Sequence, residues 1–227
     1  MLKQTIYILI MTLGFLSCNN PSEKKSINST VPDSTINKIK LHPLRKLFIA
    51  GDFDGNGKQD SIYQHNFSKL TKSEIEYSAD PFQNEWDTVV QWFYNQDANV
   101  YLSLNKNPTD TLNLGIAQGL YCLINIGDNN ADRKDEIALV IDYLDHSRLN
   151  YCKIYSLCKN KWKLLKQFEV PEASFDYTSD SAPIFDCITE HLEKQNGKWV
   201  YNDYSVEDYD NQKDLSKMLV LKIEKCQ

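Results

Sequence analysis

The chain is 227 residues long, with 31 acidic against 25 basic residues for a formal net charge of −6, and 41% of its residues are hydrophobic. A chain this acidic, with no Lys/Arg cluster interleaved with aromatics, excludes nucleic acid as a partner class. The length suits one well-buried domain, and thirteen tyrosines within an 11% aromatic content favour β-structure.

At the N-terminus, Lys3 precedes a run from Thr5 to Leu16 that is almost wholly apolar. It is too short for a stable membrane-spanning helix and reads as the apolar core of a signal peptide. Its end, Gly14-Phe15-Leu16-Ser17-Cys18, resembles the lipobox of bacterial lipoproteins, with small Ser17 before the cysteine and Phe15 where Leu is usual. The resemblance implies that 1–17 are removed, that Cys18 carries the lipid, and that the chain is anchored at the outer membrane of the cell envelope, facing the periplasm or the outside. An ordinary signal peptide cleaved nearby is the alternative. Loss of Lys3 with the signal takes the charge from −6 to −7. Residues 18–43 are polar, without apolar period, and read as a flexible tether. Residues 44–227 then form a single β-rich domain.

Short runs rich in β-branched and aromatic residues follow at regular spacing. Strands are expected at 47–50, 61–66, 74–77, 87–94, 99–104, 110–114, 120–126, 136–143, 150–157, 161–169, 186–194, 198–204 and 217–224. Gln195-Asn196-Gly197-Lys198 marks a tight hairpin, and Asn160-Lys161 another. Helical period is weak, with Ser205 to Met218 the best candidate. DTVVQWFYN reads as a strand with one face in the core; alternatively Trp86, Trp92, Phe93, Tyr94 and Tyr101 form a sugar-stacking platform. The expected fold is all-β: a hairpin-rich meander, sandwich or incomplete propeller-like arrangement, not a closed ring.

Two connections between these strands carry the chemistry. Gly51 to Asp60 places side-chain oxygens at loop positions 1, 3, 5 and 9 as Asp52, Asp54, Asn56 and Asp60, and Gly127 to Glu136 repeats this with Asp128, Asn130, Asp132 and Glu136. Alternation points these side chains to one side, and the backbone carbonyls of Lys58 and Lys134 at position 7 can add an oxygen each. Calcium takes about six to eight oxygens at about 2.3–2.6 Å, which a short turning loop can provide. An EF-hand needs a bidentate Glu at position 12 and a helix on each side. Position 12 is Tyr63 or Leu139 here, and both flanks are strand-like, so these are strand–loop–strand units.

The segments IAGDFDGNGKQDSI and INIGDNNADRKDEIALV resemble the FG-GAP/VCBS repeats of integrin-type propellers and secreted bacterial proteins. The resemblance covers about 20 residues around each loop and implies calcium held inside a β-hairpin. The second copy departs from the pattern, with Ala131 and Arg133 where the first has Gly55 and Gly57. A left-handed non-Gly residue costs roughly 1 kcal/mol or more, so the second loop is expected to bind more weakly or to be a metal-free turn.

Besides Cys18 there are five cysteines, Cys122, Cys152, Cys158, Cys187 and Cys226, so at most two disulfides form. A Cys187–Cys226 bridge is one option, with buried thiols in strands as the default. No nucleophile elbow, metalloprotease or phosphate-loop motif is present. Asp145-His146-Ser147 has the residue types of a catalytic triad, but sequence neighbours do not reach triad geometry, so it reads as a loop. Three functions compete. The first is a non-catalytic, calcium-stabilised lipoprotein binding a protein or glycan. The second is a periplasmic immunity or inhibitor lipoprotein, whose acidic surface suits a basic toxin. The third is a glycan hydrolase whose carboxylate pair the sequence does not mark.

Overall fold

Alternating apolar runs pair into antiparallel sheets through most of the chain. The computed structural model describes residues 38–105, 110–175, 183–203 and 217–226. The expected signal segment, Cys18, the tether as far as residue 37 and residues 205–216 of the helix candidate lie outside the described residues. The first half comprises β1 (Leu41–Pro43), β2 (Phe48–Gly51), β3 (Asp60–Ser68), β4 (Ser73–Glu74), β5 (Tyr77–Ala79), α1 (Trp86–Asn95), β6 (Ala98–Leu104) and β7 (Thr111–Gly115). Then come β8 (Gly119–Gly127), β9 (Glu136–Asp142), β10 (Leu149–Cys158) and β11 (Lys161–Pro171). After a 3-10 turn at Glu172–Ser174 follow β12 (Leu192–Gln195), β13 (Lys198–Tyr201) and β14 (Leu219–Val220). Among the described residues, no helix is long and apolar enough to cross a membrane.

The fold is all-β and layered. One sheet runs β2-β3-β6-β7 with β4 added to β3, a second runs β11-β10-β9-β8, a third runs β12-β13-β14, and β1 pairs with β5. The second sheet is the middle layer, because its strands feed alternate residues to two cores. Leu123, Ile137, Leu139, Ile141 and Leu157 pack against Ile62, Val100, Leu102 and Leu112 of the first sheet. Cys122, Ile124, Ala138, Val140 and Ile154, on the opposite face, pack against Leu192, Trp199 and Leu221. β9 accordingly reads as a nearly continuous apolar run, as strands buried on both faces do. Each fully buried Leu or Ile contributes roughly 1.5–3 kcal/mol.

The strand expected at 87–94 is instead helix α1. Trp86, Val89 and Phe93 stand at i, i+3 and i+7, one helical face, and Val89 and Phe93 bury against Ile75, Ala79 and Ala98. This also dissolves the expected aromatic platform, since Phe93 is core, Trp86 and Trp92 pack beside it, and Tyr101 lies on β6. The 74–77 strand is split between β4 and β5, and 186–194 narrows to β12 with single bridges at Ile184 and Ile188. Only Leu219–Val220 pairs within 217–224. β1, unforeseen, pairs with β5 just ahead of Leu44.

The hairpin at Asn196-Gly197 forms as expected, both residues at positive φ. The other two-residue turn is Lys159-Asn160, one position earlier than expected, closed by Cys158 opposite Lys161. Cys158 bonds to Cys226, not Cys187 to Cys226; Cys122 and Cys152 are buried thiols, and Cys187 is a partly exposed one.

Candidate metal centre

Both acidic loops join adjacent antiparallel strands. The first connects β2 to β3, the second β8 to β9, and the residues at loop position 12, Tyr63 and Leu139, are strand residues. Both are therefore strand–loop–strand hairpins, not helix–loop–helix units.

In the first loop, Asp52 turns its carboxylate back over the chain. Its Oδ1 accepts the Gly55 N–H at 3.0 Å and its Oδ2 the Gly57 N–H at 2.9 Å. Asp54 Oδ1 accepts the Asn56 N–H at 2.9 Å, and Asn56 Oδ1 accepts the Lys58 N–H at 2.8 Å. Asp60, buried at the foot of β3, accepts the Asp54 N–H at 3.3 Å and the Asn105 Nδ2 at 2.6 Å. Phe53, between the first two acids, is fully buried and roots the loop in the core.

The second loop repeats this plan with other residues. Asp128 Oδ2 accepts the Arg133 N–H at 2.9 Å, five residues on as in Asp52 to Gly57. Asn130 Oδ1 accepts the Asp132 N–H at 3.0 Å, and Asp132 Oδ1 the Lys134 N–H at 3.1 Å. The left-handed turns also recur: Ala131 and Arg133 stand at φ +58° and +71°, against +78° and +77° for Gly55 and Gly57. The expected strain is present, and the backbone keeps the shape despite it.

Asp52, Asp54 and Asp60 bring three carboxylate oxygens within 4.8 Å of one another, as do Asp128, Asp132 and Glu136. Oxygens on opposite sides of one calcium ion stand about 4.6–5.2 Å apart, twice the metal–oxygen distance. Both clusters could therefore hold a metal ion. Glu136 is fully buried, and burial pushes its carboxyl up to about 7, with Asp132 and Asp128 adding to the rise. Asp132 Oδ2 is buried with no hydrogen-bond partner. Buried anionic oxygen without a counter-charge is costly, and a cation between these groups removes that cost. Oxygen-only donors favour hard cations over those that prefer thiolate or imidazole. Asn56 and Asn130 sit within their loops as expected. The Lys134 side chain faces elsewhere, its Nζ donating to the Leu157 carbonyl at 2.6 Å, so position 7 has only its backbone oxygen to offer.

Sequence reading missed the residues that support these loops. Asn105 fixes Asp60 from the turn that follows β6, while Asn125 and Asp135 tie the second loop to the first. Their pairing is tertiary, and no local spacing announces it. A further grouping also arises from strand register. Glu74 Oε1 lies 2.8 Å from His65 Nδ1, and His65 Nε2 lies 2.8 Å from Ser103 Oγ. That is the order of a serine–histidine–acid relay, but Ser103 is only 2% exposed near the end of β6. An acyl substrate does not reach its oxygen in this conformation, and the group pins β3, β4 and β6 together. In the Asp145-His146-Ser147 loop, Asp145 caps the Ser147 N–H at 3.1 Å and His146 packs on Trp86 at 5.6 Å.

Set against known proteins, the chain matches no family model, no curated protein and no solved structure.

Proposed function

We propose that the chain is a calcium-stabilised lipoprotein of the cell envelope that acts without catalysis, as a binding module for a protein or glycan. The observation that carries this is the convergence of two loops of different sequence on one hydrogen-bond plan, each gathering three carboxylates. Ordinary turns have no need of that convergence, least of all with Ala131 and Arg133 held left-handed. Calcium is favoured by the oxygen-only donors and by the exported address that the N-terminal segment implies. Extracellular modules use calcium sites of about 10⁻⁴–10⁻³ M. The FG-GAP/VCBS resemblance of the two segments points the same way.

The surface best suited to a partner is the outer face of the five-stranded sheet. There Phe48, 63% exposed, stacks on Tyr63, and His65 stacks on Tyr101. Chelation tests the calcium part: EDTA is expected to lower the melting temperature, and a hundredfold excess of calcium over Kd to restore about 2.7 kcal/mol. An unmoved melting curve removes the reading. Replacing Cys18 by Ser tests the address, since it is expected to shift the protein from the membrane to the soluble fraction. A glycan panel probed with the parent and with Phe48→Ala tests the surface.

A further inference from the structure

We propose that Asp135, which belongs to neither expected ligand set, latches the two loops into one unit, so that a cation in either loop raises the affinity of the other. This deepens the calcium reading and rests on it. Asp135 sits between Lys134 and Glu136, positions 7 and 9 of the second loop, yet both its backbone N–H and its carboxylate bond to the first. Its Oδ2 accepts the backbone N–H of Asp52 at 3.1 Å, and its own N–H donates to the Asp52 carbonyl at 2.9 Å. The first candidate ligand of the first loop is thus held on both sides of its backbone by one residue of the second. Asn125 of β8 completes the junction: its Nδ2 donates to Asp135 Oδ2 and to the Ala50 carbonyl, both at 2.9 Å.

Packing leaves no slack at this contact. A Cβ built on Gly51 would fall on Asn125 Nδ2 and lie 2.6 Å from Asp135 Oδ2. One on Gly55 would meet Lys134 Cγ at 2.9 Å and the Arg133 carbonyl at 3.2 Å. The two loops therefore abut through backbone, where a shift in one displaces the other. Asp132, a member of the second loop's carboxylate cluster, keeps its Oδ2 buried and without a hydrogen-bond partner.

The sign of the coupling follows from ordering. A cation that fixes Asp52 also fixes Asp135, and with it the backbone between Lys134 and Glu136. A second ion then meets a loop already ordered and loses less conformational entropy on binding. Repulsion between two divalent ions opposes this, but solvent ions screen it and the Asp135 carboxylate stands at the junction as a counter-charge.

The test is a thermodynamic cycle read by calcium titration calorimetry on the full chain. Asp128→Asn disables the second loop and Asp135→Ala removes the latch. Asp128→Asn is expected to weaken calcium binding at the first loop by about fivefold or more, the lower range of coupling between sites. In the Asp135→Ala background the same substitution is expected to change it by less than about twofold, as independent sites do. First-loop affinity that ignores Asp128→Asn overturns the proposal, as does a fivefold effect that survives the loss of Asp135. Should Asp135→Ala fail to fold, Asn125→Ala removes the bridging amide, keeps every carboxylate, and is expected to abolish the coupling likewise. If the parent chain binds no calcium, the loop reading itself falls, an outcome seen in the first titration and distinct from uncoupled binding.

Discussion

Ala131 occupies the loop position of Gly55 and copies its left-handed turn, at φ +58° against +78°. A left-handed L-residue carries about 1–2 kcal/mol of steric cost, while glycine loses about 0.4–1 kcal/mol more backbone entropy on folding. Ala131→Gly is therefore expected to stabilise the protein by about 0.5–1 kcal/mol, measured by urea unfolding, and to tighten calcium binding at the second loop. A loss of stability would mean that the surroundings of Ala131 hold that turn without strain.

Phe53 links the first loop to the core. It is fully buried among Ile49, Ile62 and Leu104, while Asp52 and Asp54 on either side face the cluster. Phe53→Ala is expected to destabilise the fold by about 3–5 kcal/mol and to weaken calcium at the first loop more than at the second. Equal weakening at both loops would instead indicate a global loss of structure.

Asp142 ends β9 away from the acidic loops. Burial pushes its carboxyl from 3.8 to about 7, with Glu172 and Asp145 adding to the rise and the Tyr121 and Gln118 hydrogen bonds acting against it. A carboxyl raised in the folded state favours folding while protonated, so its contribution is present below its unfolded pKa and is lost as pH rises through about 7. Asp142→Asn keeps an acceptor for Gln118, whose Nε2 lies 3.2 Å from Oδ1. It is expected to match the parent near pH 4 and to exceed it by on the order of 2 kcal/mol at pH 8. Denaturant melts across that range, in constant calcium, check this; a gap that does not widen with pH contradicts it.

The Cys158–Cys226 bond closes a long loop, its ends 68 residues apart. It holds the C-terminal segment where the Glu224 backbone carbonyl accepts from Asn130 Nδ2 at 3.2 Å and Lys225 Nζ donates to the Ala131 carbonyl at 3.0 Å. Chain-entropy arguments assign such a crosslink about 4 kcal/mol. Cys226→Ser is expected to lower stability by about 2–4 kcal/mol and to weaken the second loop more than the first. Titration of each loop in oxidised and reduced protein measures the difference.

The acidic loops were legible because their information is local: alternate oxygens over nine positions, between two apolar runs. The same holds for β3, β6 and β8 to β11, whose patterns lie in contiguous residues. Helix α1 was not, because Val89, Val90, Trp92, Phe93 and Tyr94 are residues that favour strands. Packing of the Val89 and Phe93 face on Ile75, Ala79 and Ala98 decides for the helix. The partners of each loop escaped for a different reason. Asn105, Asn125 and Asp135 act through strand register and loop contact, as do His65, Glu74 and Ser103, and nothing in their sequence spacing encodes those distances. Cysteine pairing belongs with these, since Cys226 and Cys158 stand 68 residues apart and are brought together by tertiary packing.

The central claim is that both loops hold calcium. Calcium titration of the EDTA-stripped full chain measures it most directly. The account expects two ions per chain, one in Asp60→Asn, and none when Asp60→Asn and Asp128→Asn are combined. Absence of binding in the parent, or a stoichiometry that these substitutions leave unchanged, would contradict it.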